Sequence, residues 1–142
     1  MENDDSEPEC VPVVLVVEDD LITRKAVSRR LQAEGYEIIA VPNAADALVV
    51  TQRVAFHVLV LDLHLMDSDP FSGLHEGFAV LDWLRVQFGD LPFRVVIHTS
   101  QTGQKVMSQA EASGAFAFCT KSRDMNNLVQ CVAEAIDSLR VP

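Results

Sequence analysis

The run His57-Val58-Leu59-Val60-Leu61 constrains this chain more than any other stretch. It has almost no polar alternation, so a strand built from it cannot show either face to water. Such strands belong inside a parallel sheet. A second continuous apolar run, Val11 to Val17, makes the same demand. The first run ends at Asp62 and the second at Glu18-Asp19-Asp20. Acids at the carboxyl ends of buried parallel strands stand where open α/β sheets bind ligands.

The remaining sequence supplies partners for these strands. Leu21 to Glu34 has helical spacing through Ile22, Ala26, Val27 and Leu31, with Asp20 as N-cap and Gly35 as its stop. Tyr36 to Val41 is the next strand, made more edge-like by Glu37, and Asn43 caps a helix to about Arg53. Leu63 to Glu76 is irregular, and Gly77 to Phe88 is helical. Phe93 to Ile97 is a strand running out at His98-Thr99-Ser100, and Gln101 to Ser113 is a more polar helix stopped by Gly114. Ala115 to Cys119 is the fifth strand, running out at Thr120-Lys121-Ser122. Asp124 to Leu139 closes the chain with Leu128, Val132 and Ile136 on one face. Strand and helix alternate five times, so right-handed crossovers give a parallel sheet with helices on both faces.

The 142 residues suit one domain. Residues 1–10 read as a disordered acidic tail and 11–142 as the domain, with no second domain or repeat. A formal net charge of −10 opposes nucleic-acid binding by phosphate neutralisation. No apolar run approaches a membrane span, and the acidic start does not suit a secretory signal. Cys10, Cys119 and Cys131 are odd in number and lack metal-ligand spacing, which suggests reduced thiols in the cytoplasm. Cys119 and Cys131 are expected to act as small buried apolar residues. His57, His64, His75 and His98 show no metal spacing, and His98 is expected to be a packed residue.

In a parallel sheet all strand C-termini share one edge. Strand one brings Glu18 and Asp19 there, strand three Asp62, strand four Thr99 and Ser100, and strand five Lys121. Clustered carboxylates repel one another unless a cation joins them, and hard oxygen ligands suit Mg²⁺. An ammonium and hydroxyls beside a metal-held carboxylate suit a phosphoryl group, which a carboxylate can itself take up.

Val-Val-Glu18-Asp19, Leu-Asp62, His-Thr99-Ser100 and Thr-Lys121 together resemble the receiver domain of two-component response regulators, over essentially the whole chain after the tail. The resemblance implies a flavodoxin-like fold with strand order 2-1-3-4-5. It implies Asp62 as phosphoacceptor, Asp19 and Asp62 as Mg²⁺ ligands, Glu18 acting on the metal through water, and His64 lending its backbone carbonyl. It implies Thr99, the Ser100 backbone and Lys121 as phosphoryl contacts, and Thr99 and Phe118 as switch residues. Met66 and Ser122 depart from the family's usual prolines, and the Lys121–Ser122 bond is expected to be trans. The loop Met66 to Glu76 is longer than usual. It is either a plain connector or a cover that Phe71 and Leu74 tack down beside Asp62.

The function so implied is a phosphorylation-dependent signalling switch, of the chemotaxis-type single-domain kind. A histidine kinase or phosphotransfer protein supplies the phosphoryl group, and a downstream target protein reads the changed surface. The expectation is a cytoplasmic monomer or weak dimer that is no enzyme beyond assisting its own phosphorylation and dephosphorylation. The rivals are a Mg²⁺-dependent phosphohydrolase forming an aspartyl-phosphate and a receiver-shaped adaptor that works unphosphorylated. The phosphohydrolase usually needs a second aspartate where His64 stands.

Overall fold

The computed structural model describes residues 11–63, 76–100 and 103–140. Among them five strands alternate with five helices. These are β1 (Val13–Val17), α1 (Leu21–Gln32), β2 (Glu37–Val41), α2 (Ala44–Arg53), β3 (Val58–Leu61), α3 (Glu76–Phe88), β4 (Arg94–Thr99), α4 (Gln104–Ala112), β5 (Ala117–Thr120) and α5 (Asn126–Arg140). All strand pairs are parallel and the order is β2-β1-β3-β4-β5. This is the expected flavodoxin-like sheet.

The missing polar alternation has the physical cause inferred from sequence: both faces are covered. Leu15, Leu59, Leu61 and Ile97 pack with Ala47 of α2, Leu81 and Leu84 of α3 and Ala110 of α4. Val14, Val16, Val60 and Val96 face the other way, onto Val27 and Leu31 of α1 and Leu128, Val132 and Ile136 of α5. Edge strand β2 is less buried, as Glu37 foretold.

Two helix starts follow from their caps. Asp20 accepts from the Thr23 backbone N–H at 2.8 Å and the Thr23 hydroxyl at 2.6 Å, opening α1. Asn43 accepts from the Asp46 N–H at 2.8 Å, opening α2. Other boundaries differ from expectation. β4 runs on through His98 and Thr99, because they pair in register with Cys119 and Thr120. α4 starts only at Gln104, after Gly103 with φ of 132°. α5 starts at Asn126, because the Asp124 carboxylate accepts from the Asn126 N–H and Met125 takes a left-handed φ of 59°. The Lys121–Ser122 bond is trans, since no peptide among the described residues is cis. The tail 1–10, His64 and the loop positions from Met66 to His75 lie outside the described residues.

Candidate functional site

Register brings the expected residues to one edge. Val17 pairs with Leu61 and Leu61 with Ile97, so Glu18, Asp62 and His98 follow side by side on β1, β3 and β4. Backbone bonds carry the ladder past the strand ends. The Glu18 N–H donates to the Val41 carbonyl at 3.1 Å and the Asp62 N–H to the Val17 carbonyl at 3.2 Å. The Lys121 N–H donates to the Thr99 carbonyl at 2.9 Å, which fixes the lysine's stem beside β4.

The carboxylates of Glu18, Asp19 and Asp62 each offer an oxygen within 4.8 Å of the other two. Glu18, Asp62 and Thr99 are buried, Asp19 and Lys121 are half-buried, and Ser100 is exposed. The Lys121 ammonium reaches over the group. Its Nζ lies 3.0 Å from Asp62 Oδ2, a hydrogen bond, and 2.7 Å from Glu18 Oε1. The Glu18 contact is an ion pair rather than an aligned hydrogen bond, for Oε1 has no well-directed donor. The other Glu18 oxygen accepts from the Asp20 N–H at 3.1 Å.

The electrostatics record how crowded the acids are. Burial pushes the Glu18 carboxyl up to about 7, against the lowering effect of Lys121 and the Asp20 N–H. Burial works to lower the Lys121 ammonium, but its contacts with the Glu18 and Asp62 carboxylates outweigh it and hold the group above its usual value. Buried acid oxygens, gathered this closely and partnered by one ammonium, fit a small hard cation better than a soft or nitrogen-seeking one.

A model of the response regulator receiver domain matches residues 14–133. The chain belongs to the response regulator receiver domain family. Its members act as phosphorylation-dependent signalling switches. Response regulator protein FleR of Pseudomonas aeruginosa is 31% identical over 120 residues, covering 84% of this chain. The chain spans about a quarter of the length of the curated relatives it matches. Among solved structures, the signal receiver domain of a Luxo repressor protein from Vibrio parahaemolyticus is 27% identical with a TM-score of 0.79. The match covers 92% of this chain and 94% of that one. The CheY-like receiver domain protein from Methanospirillum hungatei, 20% identical, shares the fold at the same TM-score and covers 92% and 98%.

As a receiver, the chain carries two site neighbours that sequence reasoning missed or undervalued. Arg24, one turn into α1, donates to the Glu18 carbonyl at 2.9 Å and the Asp19 carbonyl at 3.3 Å, so a guanidinium holds the acid-bearing turn from behind. An arginine just inside a helix that follows an acid pair was the only available signal. His98 was expected to be packed, and it is, one step past Ile97 and close enough for the charges of Asp62 and Lys121 to act on it. Its Nε2 has no hydrogen-bond partner among the described residues. Burial, helped by Lys121 and opposed by Asp62, drops its pKa to about 4. Phe118 is half-buried, packs on the core beneath α3 and α4, and borders a cavity of about 180 Å³ against α4.

Proposed function

We propose that this receiver takes a phosphoryl group on Asp62 and passes the change to β5 and its flanking helices. The observation that carries the reading is the Lys121 ammonium, bonded to the carboxylates of both Glu18 and Asp62 at the strand end beside Thr99. An Asp62 oxygen attacks phosphorus as the donor's leaving group departs, giving an acyl phosphate. Lys121 turns from the carboxylates to a phosphoryl oxygen, and the Thr99 hydroxyl and Ser100 N–H donate to the others. Asp19 and Asp62 would hold Mg²⁺ directly, Glu18 through water, and the His64 carbonyl would complete the set. Bound there, the ion supplies neutralising charge to the phosphoryl oxygens.

As Thr99 moves toward the new group it vacates space that Phe118 can enter, turning a local charge event into a changed surface at α4, β5 and α5. The chain acts as a switch and not as an enzyme on other substrates. This reading places the chain in the cytoplasm, with a histidine kinase or phosphotransfer protein and a downstream target protein as its partners. The switch itself is a monomer or weak dimer.

The test is incubation with Mg²⁺ and a small acyl phosphate, followed by mass mapping. The expected adduct, about 80 Da, sits on Asp62 and disappears with chelator and in Asp62→Asn. An adduct on a serine, threonine or histidine, or one indifferent to chelator, overturns the assignment.

A further inference from the structure

Cys119 and Cys131 come from different elements yet share one cleft. Cys119 is buried on β5 and Cys131 half-buried on α5, both packed against the core beneath α1 and α5. Both line a cleft of about 340 Å³ that Asn127, Gln130 and Glu134 border from α5. Neither is bridged, and the Cys119 thiol donates to the Thr120 carbonyl at 3.7 Å while facing Cys131 across the cleft.

We propose that Cys119 and Cys131 are an oxidisable dithiol, which a hydroperoxide converts to a disulfide joining β5 to α5. The two thiols have unequal parts. Burial, with a further push from the neighbouring Cys131, raises the Cys119 thiol to about 12. Burial raises Cys131 as well, Cys119 works the other way, and Glu134 adds to the rise. Cys131 is also the more exposed of the pair. Cys131 is therefore the attacking sulfur and Cys119 the resolving one.

The Cys131 thiolate takes the outer oxygen of the hydroperoxide, giving a sulfenic acid and an alcohol, or water when the oxidant is hydrogen peroxide. The Cys119 sulfur then attacks the Cys131 sulfur. The S–O bond breaks and water leaves with the Cys119 proton. Two thiols have lost two electrons and two protons, and the peroxide has been reduced. The bond fastens α5 to β5 in the stretch between Phe118 and Lys121. The chemistry does not depend on the phosphoryl reading.

The experiment uses the full chain with Cys10→Ser, so that no third thiol competes. It is treated with hydrogen peroxide and digested without reductant. The expected product is a Cys119–Cys131 linked peptide with a loss of about 2 Da, reversed by a dithiol reductant. In Cys119→Ala the bridge cannot form, and Cys131 should pass on to sulfinic acid, a gain of about 32 Da. In Cys131→Ser, which alters only a half-buried position, Cys119 should stay reduced. Survival of both thiols in the parent overturns the proposal. So does sulfinic acid at Cys131 forming as fast in the parent as in Cys119→Ala.

Discussion

At the scale of single residues, His98 and Arg24 have the clearest consequences. The His98 ring is 3% exposed, and its pKa falls from 6.5 to about 4 on folding. The unfolded chain therefore binds more protons at this residue than the folded one between those values. Stability present above pH 6.5 is lost as pH falls toward 4, by up to roughly 3 kcal/mol from this group. His98→Val should flatten that part of the pH dependence while costing little at pH 7, where it removes an unpartnered nitrogen. Urea unfolding of both proteins at pH 7 and pH 4.5 measures it, and parallel losses would exclude His98 as the cause. Arg24→Ala should cost about 1–2 kcal/mol, because two carbonyls of the acid-bearing turn lose a charged donor. Arg24→Lys should recover part of it, since both bonds come from one nitrogen, Nη1, and an ammonium can replace a single donor nitrogen. The place of Arg24 just after an acid pair was the only trace of this contact, whose acceptors are backbone carbonyls.

Secondary-structure elements were legible where their signals were local. Asp20 and Asn43 stand directly before apolar periodic runs, and both cap as expected. Replacing Asn43 with alanine should therefore cost about 1 kcal/mol, whereas Asn43→Asp should be nearly neutral. Thermal melts of the two variants test the pair. Boundaries were misread where a partner in space decides them. The end of β4 depends on its ladder with β5, and His98-Thr99 looks like a strand end until Cys119 and Thr120 lie alongside. The start of α5 depends on a turn in which Asp124 caps and Met125 adopts a left-handed conformation that few side chains favour. The sheet order itself was reached through the family resemblance, since alternation alone yields a parallel sheet without saying which strand is central. The cysteine pair was read as two small apolar residues, because strand–helix contact between positions 119 and 131 has no periodic trace.

For the whole molecule, the site is a weakness of the fold as well as its purpose. Glu18 and Asp62 are buried among strands that could otherwise end in apolar residues, with Lys121 as their shared partner. Removing that partner should be severe: Lys121→Met leaves two buried acids without their ammonium, at about 3 kcal/mol or more. A bound cation should relieve the same crowding. Mg²⁺ that binds the folded state alone stabilises it by mass action, by about 2.7 kcal/mol at a hundred times its dissociation constant. The melting temperature of the parent should rise with Mg²⁺, and that of Asp62→Asn should rise much less. Equal shifts in the two proteins would place the ion elsewhere.

The meeting of these carboxylates at one edge also dictates an order of arrival. A phosphodonor carries negative charge, so it meets repulsion from Glu18, Asp19 and Asp62 on its way to Lys121. On the proposed reading the cation should enter first and the donor second. With donor fixed, the rate of modification should follow Mg²⁺ occupancy to a plateau, and without the ion no donor concentration should restore it. Added salt should then act in opposite senses: it slows the approach of the cation to an acidic mouth and eases the approach of a donor to an empty one.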